Sequence, residues 1–156
     1  MTTAYIGIDP GKKGGIACYI PDTGYVDVEP IPLTGKLVDC SKLADILADF
    51  ALHKHTNVWI EQVHAMPKQG VTSMFNFGRT LGRIEGVALA MELCVEYVRP
   101  QKWKANVLDG TDKSKDAAIE FVSAKFPQLN LIPQGCRKPH DGLADALCIA
   151  VYGSRQ

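Results

Sequence analysis
Apolar and polar positions change their period several times along the chain, and each change marks an element. Residues 4–9 (AYIGID) and 16–21 (IACYIP) are apolar runs, while 25–30 (YVDVEP) alternates. Short runs of this kind divided by turn formers predict strands. PGKKGG after Asp9 reads as a turn and DTG (22–24) as a hairpin signal, so three consecutive antiparallel strands are expected. Residues 31–40 read as an irregular connection. Ser41 caps a predicted helix, KLADILADFALHKH, with Leu43, Ile46, Leu47 and Phe50 on one face. NVWIEQV (57–63) is a buried fourth strand. Thr72 or Ser73 caps a long helix reaching about Leu93, and CVEYV (94–98) is a fifth strand. Residues 99–108 form a short helix, 112–126 an amphipathic one, and 127–138 a loop. A helix over 139–153, with Pro139 near its first turn, closes the chain. This order predicts an α/β fold: a five-stranded mixed sheet flanked by helices on both faces. With 156 residues and neither repeats nor a linker, one domain over 1–156 is expected.

Composition narrows this picture little. Apolar residues make up 46% and charged residues 22%, enough to bury a core. No apolar run is long enough to span a bilayer, and MTTAYIGIDPG lacks the character of a secretory signal. A cytoplasmic protein with no membrane partner is therefore expected. Cys18, Cys40, Cys94, Cys136 and Cys148 form no CxxC pair and read as reduced thiols. Cys136 with His140 offers a zinc alternative, against the plainer reading of a loop cysteine near an unrelated histidine. The 17 basic and 17 acidic residues cancel, which by itself gives no support to nucleic-acid binding. Their distribution says more: residues 99–115 carry Arg99, Lys102, Lys104, Lys113 and Lys115 against only two acids.

The candidate chemistry lies in four acids. Asp9 ends the first strand and Glu61 comes near the end of the fourth. If both strands are central and parallel, their C-terminal ends open onto one crevice. Asp141 and Asp145 are four apart on the last helix and share a face. A helix start tolerates Asp141. Asp145 stands among apolar neighbours in GLADALCIA, and a half-buried carboxylate needs a partner. Four carboxylates from three segments suit hard cations, Mg2+ or Mn2+ rather than zinc. Two such ions can clamp the attacking and leaving oxygens of an in-line phosphoryl displacement.

These residues resemble the RuvC family of Holliday junction resolvases. IGIDPGKKGGIA, WIEQV, RPQKWK, DKSK and DGLADALCIA occur in that family's order over nearly the whole chain. The resemblance implies an RNase H-like fold and a homodimeric, Mg2+-dependent endonuclease, with two ions per site and no nucleotide cofactor. It also implies paired nicks across four-way DNA junctions, in a bacterial or phage-infected cell. By motif it makes Asp9, Glu61 and Asp145 catalytic metal ligands. Bacterial members commonly carry Asp or His three residues before the last acid, where this chain has Gly142, so the fourth role passes to Asp141. Lys104 and Lys113 match basic residues that approach DNA; a solvated basic face is their plainer reading, and Lys102 belongs to the same stretch. His64 falls where bacterial members often carry an aromatic wedge, and an exposed loop histidine is its alternative. His140 is a candidate for proton transfer, though its offset puts it off the face of Asp145.

The long helix places Gly78, Gly82 and Gly86 on one stripe, at about 1 kcal/mol each relative to alanine. A homodimer interface is one explanation and close packing on the chain's own sheet the other. Phe75, Phe77 and Met74 suggest an apolar surface near the helix start. Arg79 and Arg83 share a face that could meet phosphate or a partner chain. Two further enzyme readings and one binding reading compete. A sugar-kinase or actin-like ATPase would need a second domain. A broader nuclease for flaps, three-way junctions and forks keeps the same acids. A non-catalytic nucleic-acid-binding module would not need the complete set.

Overall fold
The computed structural model describes residues 2–52, 55–112 and 114–156. Strands β1 (Thr3–Asp9), β2 (Gly15–Ile20) and β3 (Tyr25–Pro30) form an antiparallel meander. The stretch expected to be irregular holds a minimal hairpin, β4 (Leu33–Thr34) and β5 (Leu37–Val38). Helix α1 (Cys40–Ala51) follows, then β6 (His55–Glu61), α2 (Val71–Ala90) and β7 (Cys94–Val98). Helices α3 (Pro100–Val107), α4 (Ala117–Lys125) and α5 (Asp141–Gly153) complete the chain. The main sheet runs β3-β2-β1-β6-β7, with β6 parallel to both β1 and β7. The five-stranded mixed sheet read from the sequence is therefore observed.

Side-chain alternation divides the core in two. Ala4, Ile6 and Ile8 of β1 and Val58 and Ile60 of β6 face α1 and α2, burying Leu43, Leu47, Phe50, Ile84 and Ala88. On the other face α5 lies against the sheet, with Trp103, Val107, Val122 and Phe126 of the α3–α4 region packed around it. Helix α5 is buried along almost its whole length; only Asp141 is exposed and Asp145 half-buried. Gly7 makes that approach possible, because a Cβ there would collide with the carbonyl oxygen of Ala146.

Several helix starts differ from expectation. Asp39, not Ser41, caps α1, accepting from the Lys42 N–H at 3.0 Å. The α2 cap is Gly70, without a side-chain bond, ahead of both Thr72 and Ser73. Helix α4 begins at Ala117 rather than 112, and α5 begins at Asp141 with His140 as its cap. The helix expected to run to His55 ends at Ala51, with Leu52 as its C-cap and His55 opening β6; His53 and Lys54 lie outside the described residues.

Candidate active site
Asp9 and Glu61 sit at odd positions of neighbouring parallel strands whose register pairs Gly7 with Trp59 and Ile8 with Ile60. Alternation that sends Ile8 and Ile60 toward α1 and α2 sends Asp9 and Glu61 to the α5 face. Helix α5 brings its first turns to the same end of the sheet. Gly142 presses on the β1–β2 turn so closely that a Cβ would collide with the Lys13 carbonyl oxygen. The close packing leaves Asp141 and Asp145 as the acids α5 presents there.

Asp9, Glu61 and Asp145 are coupled electrostatically, and Asp141 acts on Asp9 and Asp145. Burial raises the Asp9 carboxyl, and Asp141 adds to it, against a 3.3 Å hydrogen bond from the Gly11 N–H and the nearby charges of His140 and Lys104. Burial likewise raises Glu61, with Asp9 adding and a Trp103 hydrogen bond opposing. Asp145 is pushed up to about 7, first by burial and then by Asp9 and Glu61, with Lys104 opposing. The site thus concentrates negative charge with Lys104 as the cation that reaches Asp9, Glu61 and Asp145 alike. A small cavity of about 180 Å³ beside Asp141 and Asp145 is lined by Lys104, Ser114 and Lys115.

The donor set suits a hard divalent cation: carboxylates from three elements, crowded and half-buried save for exposed Asp141, disfavour their own joint ionisation until a cation neutralises them. Among the described residues, no three His, Cys, Asp or Glu side chains already stand in a chelating arrangement. Glu61 is instead engaged by Trp103, whose indole N–H donates to Glu61 Oε2 at 2.6 Å. The sequence reading missed Trp103. A signal was present, since a buried tryptophan N–H requires an acceptor, and RPQKWK follows a strand adjacent to the one bearing Glu61.

The remaining expected residues are distributed around this centre. His64 is exposed and, with Gln62, Val63, Met66, Arg99 and Lys102, lines an open groove of about 840 Å³ beginning one residue past Glu61. Lys113 lies outside the described residues. Arg79 is exposed on α2, whereas Arg83 donates to the Val38 carbonyl at 2.9 Å and ties α2 to β5. Arg83 is therefore already engaged within its own chain. Gly78, Gly82 and Gly86 face open space, which overturns close packing on the chain's own sheet as their explanation. Phe75 is exposed on the same helix, with Met74 and Phe77 half-buried. His140 acts electrostatically on Asp9, and its Nδ1 is buried without a hydrogen-bond partner among the described residues. None of the five cysteines is in a disulfide, and the Cys18 thiol faces the Phe50 carbonyl oxygen. No helix among the described residues is long and apolar enough to cross a membrane.

No family model matches the sequence, and no curated protein matches it either. Solved structures do match. RuvC of T. thermophilus in complex with a Holliday junction substrate is 17% identical, covers 99% of this chain and 95% of its own, and superposes with a TM-score of 0.60. A second Thermus thermophilus RuvC structure is 19% identical, with 99% and 96% coverage and a TM-score of 0.58. The yeast mitochondrial Holliday junction resolvase Ydc2 is 16% identical over 93% of this chain and 75% of its own, at a TM-score of 0.49. The architecture is the RNase H-like α/β fold. Within it, the sheet and helix arrangement is that of RuvC over almost the full length of both chains.

Proposed function
We propose that the chain is a divalent-metal-dependent DNA endonuclease that recognises branched DNA and resolves four-way junctions by paired nicks as a homodimer. The observation that carries this reading is the meeting of Asp9, Glu61, Asp141 and Asp145, from β1, β6 and α5, at one end of the sheet. The likeness of fold to a RuvC bound to a Holliday junction agrees with it.

The four carboxylates would hold Mg2+ or Mn2+, two per site. When bound, such ions supply an activated water and neutralise charge gathering at the scissile phosphate. The chain's own residues do the rest. Asp9 and Asp145 are half-buried between β1 and α5, so their ligand oxygens are fixed by packing rather than by a loop. Lys104 is exposed at the rim and can bind a phosphate oxygen once the acids are neutralised. Arg99, Lys102 and His64 along the groove past Glu61 give a basic track for the adjoining DNA backbone. The open glycine stripe on α2 supports a second copy approaching there.

The test is cleavage of four-way, three-way, flap and linear DNA in Mg2+ or Mn2+, with Asp9→Asn as control. Symmetrical nicks confined to the four-way substrate and absent from the variant are expected. Equal cutting of flaps and forks would replace junction resolution by general debranching. Tight junction binding without cleavage would defeat the nuclease reading.

A further inference from the structure
Trp103 is fully buried on α3 between two exposed neighbours, Lys102 and Lys104. Helix α3 directs the indole inward to the base of the acid cluster, where its N–H meets Glu61 Oε2 at 2.6 Å across 42 residues of sequence. The next residue, Lys104, carries its ammonium back over the same ring, 5.3 Å from the centroid. One indole thus touches a carboxylate at its edge and a cation at its face. A single hydrogen bond to a carboxylate oxygen fixes the plane of the group while leaving lone pairs on both oxygens. Glu61 stands at the end of β6, and the bond to a buried, immobile donor removes the rotamer freedom its longer side chain would otherwise have there.

We infer that Trp103 is the positioning residue of Glu61, presetting the carboxylate for a divalent cation through its indole N–H. The inference rests on the metal-dependent reading above. Outer hydrogen-bond partners of ligating groups set both orientation and affinity, and their loss typically weakens metal binding on the order of 10- to 100-fold. Trp103→Phe keeps an aromatic ring in the core and removes only the donor and part of the bulk.

Calorimetric titration of the full chain with Mg2+ alone, without DNA, tests the inference. Trp103→Phe should weaken binding by roughly ten-fold or more. Phe126→Leu, a core change in the same packed cluster but at a residue given no role in the acid site, should lower the melting temperature and leave Mg2+ affinity unchanged. Unaltered binding in Trp103→Phe, or equal weakening in Phe126→Leu, overturns the positioning role while leaving the metal site intact. Absence of Mg2+ and Mn2+ binding in the wild-type chain overturns the metal-dependent reading itself. Should Trp103→Phe fail to fold, the indole N–H resonance of the wild-type protein decides. It should lie downfield and move upfield in Glu61→Gln, because a neutral acceptor makes a weaker bond than a carboxylate. An indole resonance indifferent to Glu61→Gln overturns the inference.

Discussion

Asp145 shows at the scale of one residue what a buried acid cluster costs. Its carboxyl is pushed up to about 7, with burial as the main cause and Asp9 and Glu61 adding to it. In the unfolded chain an aspartate titrates near roughly 3.9. The folded value is the higher one, so the contribution of this group is most favourable below the unfolded value, where both states are protonated. As pH rises from about 4 toward about 7 the unfolded chain ionises first, and stability declines until the folded site ionises too. In EDTA, melting temperature attributable to this site should fall over that window and level off above it. Asp145→Asn should remove the slope, melt higher than wild type at pH 8, and converge with it near pH 4. Added Mg2+ should raise the wild-type melting temperature more than that of the variant. Equal melting of the two proteins at pH 8 in EDTA would refute the account.

Elements decide which side chains can occupy the site, and here glycines act with opposite sign. At Gly142, α5 lies so near the β1–β2 turn that any Cβ meets the Lys13 carbonyl. Position 142 therefore admits no side chain, and Asp141 is the acid beside it at the start of α5. Gly142→Ala should destabilise the fold by about 1–3 kcal/mol, the usual cost of overpacking, measured by chemical denaturation. On α2, nothing lies within 4 Å of a Cβ built at Gly78, Gly82 or Gly86. Gly82→Ala should therefore stabilise the isolated chain by about 1 kcal/mol through helix propensity. If two copies meet along this stripe, bulkier Gly82→Leu should shift sedimentation toward monomer while the fold persists. The contrast also marks what could be read in advance. Asp9 and Glu61 were legible because each comes at or near the end of an apolar run; that they share a face depends on the β1–β6 register, which the two-residue period alone does not set. Asp145 was legible as a charge inside an apolar helix. The α1 cap was not, because Asp39 and Ser41 both have capping side chains and only the β5–α1 path chooses between them. Nor was Trp103–Glu61, a contact set by how α3 packs across the sheet rather than by any local period.

The whole molecule is electrically neutral by count, 17 basic against 17 acidic residues, yet it is not uniform. Acids gather at the sheet end between Asp9, Glu61 and Asp145, and bases border them at Arg99, Lys102, Lys104 and Lys115. A phosphate backbone lying on that surface meets attraction at the rim and repulsion at the centre. In the absence of divalent cations the central repulsion offsets much of the attraction, so a neutral chain should bind DNA weakly and the acids should be the reason. Replacing Asp9, Glu61 and Asp145 by their amides changes the net charge from zero to +3 and removes the repulsion where DNA would come closest. Fluorescence anisotropy with labelled four-way DNA in EDTA should then show tighter binding by the triple variant than by wild type. Adding Mg2+ should strengthen wild-type binding and change the variant little or weaken it by screening. Raising monovalent salt should weaken both, with the steeper dependence in the variant, because its phosphate contacts face less opposing charge. A variant that binds DNA no better than wild type in EDTA would mean that the acid cluster does not face the DNA, and the placement of the scissile phosphate over it would fail with that result.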